Sequence, residues 1–131
     1  MKFPYKRYPE DIIRPVIAIE LANAGKTIRY EVLVDSGADI CIFPAEIGEI
    51  LDLDILSGAS HEVAGITGQK ECYYLHEVTL IVGGHRFYIS AGFMPNFPRY
   101  SYGVVGQVGF FNNFVVRFDY AKHELEVKPL K

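Results

Sequence analysis

The most informative part of the chain is Val34-Asp35-Ser36-Gly37-Ala38-Asp39, which begins where an apolar segment ends. Residues 27–34 are rich in β-branched and aromatic side chains and predict a strand that enters the core. Gly37 gives the backbone the freedom that a tight turn needs, and Ser36 places a hydroxyl beside the acid. Asp-Ser-Gly also occurs in ordinary surface turns. The apolar segment Ile40-Cys41-Ile42-Phe43 that follows favours a turn within the fold.

Three further segments accompany this turn in the chain. They are Arg14-Pro15-Val16-Ile17-Ala18-Ile19, His61-Glu62-Val63-Ala64-Gly65-Ile66-Thr67-Gly68-Gln69 and Val104-Val105-Gly106. With the Asp-Ser-Gly-Ala-Asp motif, they resemble the retropepsin-like (retroviral-type) aspartic proteases, single-lobe relatives of pepsin. In that family the corresponding segments are, in the same order, the strand before the catalytic strand, the flap hairpin over the cleft, and an element beside the catalytic turn. The resemblance covers about residues 14–120.

The resemblance implies a function and a set of site residues. Asp35 is the expected catalytic acid, and Ser36 and Gly37 are expected to support its turn. The implied substrate is an extended polypeptide, and neither a metal nor an organic cofactor is implied. The expected substrate contacts are Ala38, Asp39, Gly65, Ile66, Gly68 and Val104.

Two features depart from the retroviral pattern. Gln107 stands where those proteases usually carry an arginine, which braces the second acid of the motif across the dimer. Residues 114–120 and 125–127 are more similar to the end of a pepsin-type lobe than to a short terminal strand. The way in which Asp39 is held is therefore open, and a dimer sheet woven from both termini is not assumed.

The chemistry requires a second acid. Peptide hydrolysis by carboxylates uses one ionised group, which accepts a proton from water, and one protonated group, which polarises the scissile carbonyl. The chain has one Asp-Ser-Gly, and its other aspartates outside the motif lack the strand–turn–glycine setting. We therefore predict an aspartic endopeptidase in which Asp35 from each copy of a homodimer forms the dyad. The alternative is a catalytically silent or latent retropepsin-like module for protein binding or dimerisation.

Size and composition limit the other possibilities. A chain of 131 residues suffices for one domain but not for two catalytic lobes. The net charge of −3, without a basic stripe, argues against nucleic-acid binding. No segment approaches the ~20 apolar residues of a membrane span. The first residues lack an apolar signal segment, so we expect a cytoplasmic location. The four histidines show no metal-ligand spacing.

The predicted organisation is a loose N-terminal arm over residues 1–13 and a protease-like lobe over residues 14–131. Short apolar runs separated by Gly, Pro and Asn predict a mostly β fold. The expected lobe is a closed or partly open acid-protease-type β-barrel with a flap hairpin and one or two short helices. Residues 44–51 are predicted to form a helix, and the resemblance implies a second helix over residues 107–113. Hairpins are expected at residues 23–25 and 83–84. Cys41 is predicted to be a buried free thiol.

Overall fold

The structure, a computed structural model, describes residues 1–64, 67–98 and 102–130. Within these residues, no helix has the length and apolar character needed to cross a membrane. The described helix α1 spans Ala45–Ile50, inside the predicted range. The described strands are β1 (Lys2–Pro4), β2 (Lys6–Tyr8), β3 (Ile12–Arg14), β4 (Val16–Asn23), β5 (Lys26–Val34), β6 (Ile42–Pro44), β7 (Ala59–Ala64), β8 (Lys70–Val82), β9 (His85–Met94), β10 (Gly103–Val105), β11 (Phe114–Asp119) and β12 (Glu124–Pro129).

The main sheet curls into a barrel. Its strand order is β4-β5-β10-β6-β9-β8-β7, and β8 also pairs with β4. That additional pairing closes β4, β5, β10, β6, β9 and β8 into a ring, while β7 continues from the outer part of β8. The two predicted hairpins are present as β4–β5 and β8–β9. The predicted mostly β barrel is confirmed.

The order of strands in the barrel positions the Asp-Ser-Gly turn. β5 and β6 follow each other in the chain but are not neighbours in the sheet. β10 lies between them, parallel to β5 and antiparallel to β6. The segment that joins β5 to β6 must therefore cross the end of β10. This segment contains Asp35, and the crossing brings it against residues 105–108.

Aromatic side chains tie the core together. The rings of Phe43 and Phe93 lie 5.7 Å apart between their centroids. Phe110 and Phe114 lie 5.1 Å apart and connect the C-terminal strands to the barrel. Full burial of such a side chain stabilises the fold by roughly 1.5–3 kcal/mol. Cys41 is buried and free, as predicted.

The helix predicted over residues 107–113 is wrong. These residues form consecutive turns instead. Gly109 has a φ of +110°, which no α-helical residue adopts. Its N–H donates to Asn112 Oδ1 at 2.9 Å, and its carbonyl accepts from Asn113 Nδ2 at 3.0 Å. The two asparagine side chains thus replace the backbone bonds that a helix would make.

The prediction that residues 1–13 form a loose arm is also wrong, because most of these residues belong to paired strands. β1 pairs with β12, with Phe3 opposite Leu125, and completes a sheet of order β1-β12-β11. β2 pairs with β3 in a separate hairpin. Met1 and Phe3 pack against the core. Alternating aromatic and charged residues in this segment therefore mark strands that cover one end of the barrel.

Candidate active site

Asp35 stands at the end of β5, in a turn that its own carboxylate helps to close. Val34 before it is buried, whereas Asp35 is partly exposed. The Asp35 backbone N–H donates to Val105 O at 3.0 Å, which ties the residue to β10. Gly37 N–H donates to Asp35 Oδ1 at 2.9 Å, and Ala38 N–H donates to Asp35 O at 3.1 Å. The turn therefore orients the carboxylate.

The segment after β10 packs closely against the far side of the same turn. Gln107 N–H donates to Ala38 O at 2.8 Å, and Val108 N–H donates to Asp39 O at 3.0 Å. Gly106 lies so close that a Cβ there would be 2.4 Å from Ala38 O and 2.5 Å from Ile40 O. No side chain fits at this position unless the turn moves.

The side chain of Gln107 adds a further bond to the turn. Its Nε2 donates to Ser36 O at 2.6 Å, and the residue itself is exposed. The sequence marked this position only as a departure from the arginine of retroviral proteases. The structure shows that the glutamine amide contacts the backbone between Asp35 and Gly37.

An apolar cleft of about 450 Å³ opens between the end of β9, β10 and the β7–β8 hairpin. Val104 lines it and pairs with Leu33 of β5, two residues before Asp35. The sequence analysis did not identify the cleft residues at and after the end of β9, Met94, Phe97 and Pro98. The lining side chains are Ile42, Val63, Ala64, Thr67, Gln69, Glu71, Met94, Phe97, Pro98, Tyr102 and Val104.

A hairpin borders the cleft in the segment where the sequence predicted a flap. We call it the cleft hairpin; its described part consists of β7 (Ala59–Ala64) and residues 67–75. Its register runs from Ala59 opposite Leu75 to Ala64 opposite Lys70, and every residue of β7 is exposed. Gly68 near its tip has a φ of +81°. The predicted contacts Gly65 and Ile66 lie outside the described residues.

The hairpin formed by β2 and β3 contacts Tyr102, one of the residues that line the cleft. Arg14 Nη1 donates a hydrogen bond to the hydroxyl of Tyr102. The Arg14 guanidinium lies 5.4 Å from the ring centroid of Tyr8 and 6.0 Å from that of Tyr102. Such contacts are cation–π interactions. Burial, and next the neighbouring Tyr102 hydroxyl, raise the pKa of Tyr8 to about 12, so its ring stays neutral.

The structure places the predicted site residues in three elements. Residues 35–39 form one turn, Val104 lines the cleft and pairs with Leu33 of β5, and Gly68 belongs to the hairpin that borders the cleft. In residues 1–64, 67–98 and 102–130, no three His, Cys, Asp or Glu side chains are grouped as metal ligands would be.

Two solved structures of proteases are similar to this fold. The crystal structure of a retropepsin-like aspartic protease from Rickettsia conorii matches with a TM-score of 0.68 and 13% identity. That match covers 98% of this chain and 91% of the other. The EIAV protease complexed with the inhibitor HBY-793 matches with a TM-score of 0.54 and 17% identity, over 78% of this chain and 88% of that one.

The sequence itself matches no family model and no curated protein. The likeness is therefore one of structure, and the chain has the retropepsin-like fold.

Proposed function

We propose that the chain is an aspartic endopeptidase whose catalytic dyad forms from the Asp35 carboxylates of two copies. The observation that carries this proposal is the placement of Asp35. Its carboxylate is partly exposed and accepts a hydrogen bond from Gly37 N–H at 2.9 Å. It follows β5, whose Leu33 pairs with Val104 in the lining of an apolar cleft of about 450 Å³. The retropepsin-like fold supports the assignment, because the similar solved structures are aspartic proteases.

The second acid is proposed to come from a second copy because the remaining aspartates outside the turn lie elsewhere in the chain. Asp52 bonds to Lys26, and Asp119 accepts from Lys122 N–H. Asp11 and Asp54 belong to other turns. Two carboxylates about 3 Å apart share one proton. In such a pair the ionised member takes a proton from the attacking water, and the protonated member polarises the carbonyl and then protonates the leaving nitrogen.

The proposed substrate is an extended polypeptide that lies between the turn and the cleft hairpin. Ser36 and Gly37 support the dyad, while Ala38 and Asp39 face the substrate backbone. The apolar side chains around Val104 accept substrate side chains, as mostly apolar binding clefts do. The cleft hairpin acts as a flap, in which Gly65, Ile66 and Gly68 cover the bound peptide. Its closure excludes water from the reaction.

The proposal is tested with a peptide library, in acid solution, and mass-spectrometric detection of cleavage. Asp35→Asn should abolish cleavage and keep the circular dichroism spectrum, because the amide preserves shape but cannot share a proton. Asp11→Asn is the matched control. Asp11 is exposed at a φ of +59°, a conformation that asparagine tolerates, so its activity should not change.

Assembly is tested on the same substrate. Activity per chain should fall on dilution as sedimentation velocity shows dissociation, and excess Asp35→Asn should poison the wild type through mixed dimers. Constant activity per chain in a monomeric sample would refute the shared dyad. A folded wild type that cleaves no peptide would refute the endopeptidase and favour the silent or latent module.

A further inference from the structure

We infer that Gln107 is a positioning residue for the Asp35 carboxylate and acts through the Ser36–Gly37 peptide group. This inference rests on the proposed function of Asp35. The peptide unit that joins Ser36 to Gly37 is contacted at both of its polar atoms. Its oxygen accepts a hydrogen bond from Gln107 Nε2 at 2.6 Å, and its N–H donates to Asp35 Oδ1 at 2.9 Å.

The two hydrogen bonds are mechanically linked because a peptide group is planar. Rotation of the group moves its oxygen and its N–H together. When Gln107 holds the oxygen of Ser36, it also fixes the direction in which the Gly37 N–H points. That N–H bonds to the carboxylate oxygen, so the side chain of Gln107 sets the orientation of Asp35 without touching it.

The same linkage has an electrostatic part. A hydrogen bond accepted by a peptide oxygen polarises the group and strengthens its N–H as a donor. Bonds from an N–H to an ionised carboxylate are stronger than bonds between neutral partners. Gln107 therefore strengthens the contact between Gly37 and the ionised form of Asp35.

The backbone of Gln107 is anchored independently of its side chain. Gln107 N–H donates to Ala38 O at 2.8 Å, and the next residue, Val108, donates to Asp39 O at 3.0 Å. Since the residue is exposed, its side chain can be changed with little effect on packing. A substitution at this position thus isolates the side-chain bond to Ser36 from the rest of the contact.

The critical variant is Gln107→Glu, assayed at about pH 6, where an exposed glutamate is ionised. It keeps the shape of the side chain but removes the donor and places a carboxylate oxygen against Ser36 O. We expect kcat to fall about tenfold, the rate equivalent of one lost hydrogen bond, with KM within about twofold. Gln107→Arg restores a donor and should recover most of the lost kcat. A KM effect alone, or an unchanged kcat, would overturn the inference.

Asn23→Asp is the matched control. Asn23 Nδ2 donates to Leu51 O at 2.8 Å, so this variant also converts a donating amide to a carboxylate, but away from the turn and the cleft. It should lower stability and leave kcat unchanged. An equal fall of kcat in both variants would show a general loss of stability and would overturn the positioning role.

A readout without catalysis separates this inference from the proposed function. In ¹⁵N-labelled protein, the Gly37 amide proton should shift upfield in Gln107→Glu, because its bond to Asp35 weakens, and should return in Gln107→Arg. It should not move in Asn23→Asp. If the wild type cleaves no peptide, the proposed function fails, yet these amide shifts still decide the link. An unmoved Gly37 amide in Gln107→Glu overturns it.

Discussion

Gly106 offers the sharpest perturbation of the turn that contains Asp35. In Gly106→Ala the new Cβ would lie 2.4 Å from Ala38 O and 2.5 Å from Ile40 O, where ordinary contact begins at 3.4 Å. The overlap is therefore about 1 Å at both atoms. Both are backbone oxygens, so a side-chain rotation cannot relieve it. We expect a loss of about 1–3 kcal/mol in the free energy of unfolding, as overpacked sites show.

The same displacement should also lower the rate of peptide cleavage. A shift of about 1 Å in a catalytic group can cost roughly 100-fold in rate, so kcat/KM of Gly106→Ala should fall by about that factor. Urea unfolding and peptide cleavage measure the two effects. Gly25→Ala is the control: Gly25 has a φ of +77° with open space around its Cα, so it should lose about 1–2 kcal/mol but no activity. Wild-type stability and activity in Gly106→Ala would refute the close approach.

Two further outcomes are expected. At pH 8, a thiol reagent should react with one cysteine per folded chain, the exposed Cys72, and with two after unfolding. Cys41 should be protected in the folded chain because burial raises its pKa to about 11. Two fast-reacting thiols in the folded protein would contradict this. Gly68→Ala and Gly84→Ala impose similar backbone strain, at φ of +81° and +86° in open space. Only Gly68→Ala should lower turnover. Equal turnover in the two variants would contradict the proposed role of the cleft hairpin as a flap.

The sequence predicts the barrel well because most of its strands carry local signals. Residues 27–34 are β-branched and aromatic and form β5 almost to the residue. Gly83 and Gly84 both adopt positive φ, and the tight turn they predict joins β8 to β9. Pro44 is the N-cap residue of α1, one position before the first turn in which the sequence predicted it. Each of these features depends on residues close in the chain.

The sequence fails where a local pattern has two outcomes. Residues 107–113 are apolar enough for a helix, but Asn112 and Asn113 offer side-chain bonds that stabilise a turn around Gly109. Residues 1–13 contain prolines and charges that suggest an arm. Their pairing with Glu124–Pro129 and within the β2–β3 hairpin becomes visible only in the folded chain.

The contact between Gln107 and Ser36 shows why the site is harder to predict than the fold. The two residues are 71 positions apart, and they meet because β10 is inserted between β5 and β6. From the sequence, Gln107 could only be compared with the arginine of retroviral proteases, and the comparison suggested a lost brace on Asp39. The structure shows that a donor is still present and that its acceptor is the backbone beside Asp35. Because this contact is made within one chain, we expect Gln107 to act on the turn in separated copies as well as in the proposed dimer.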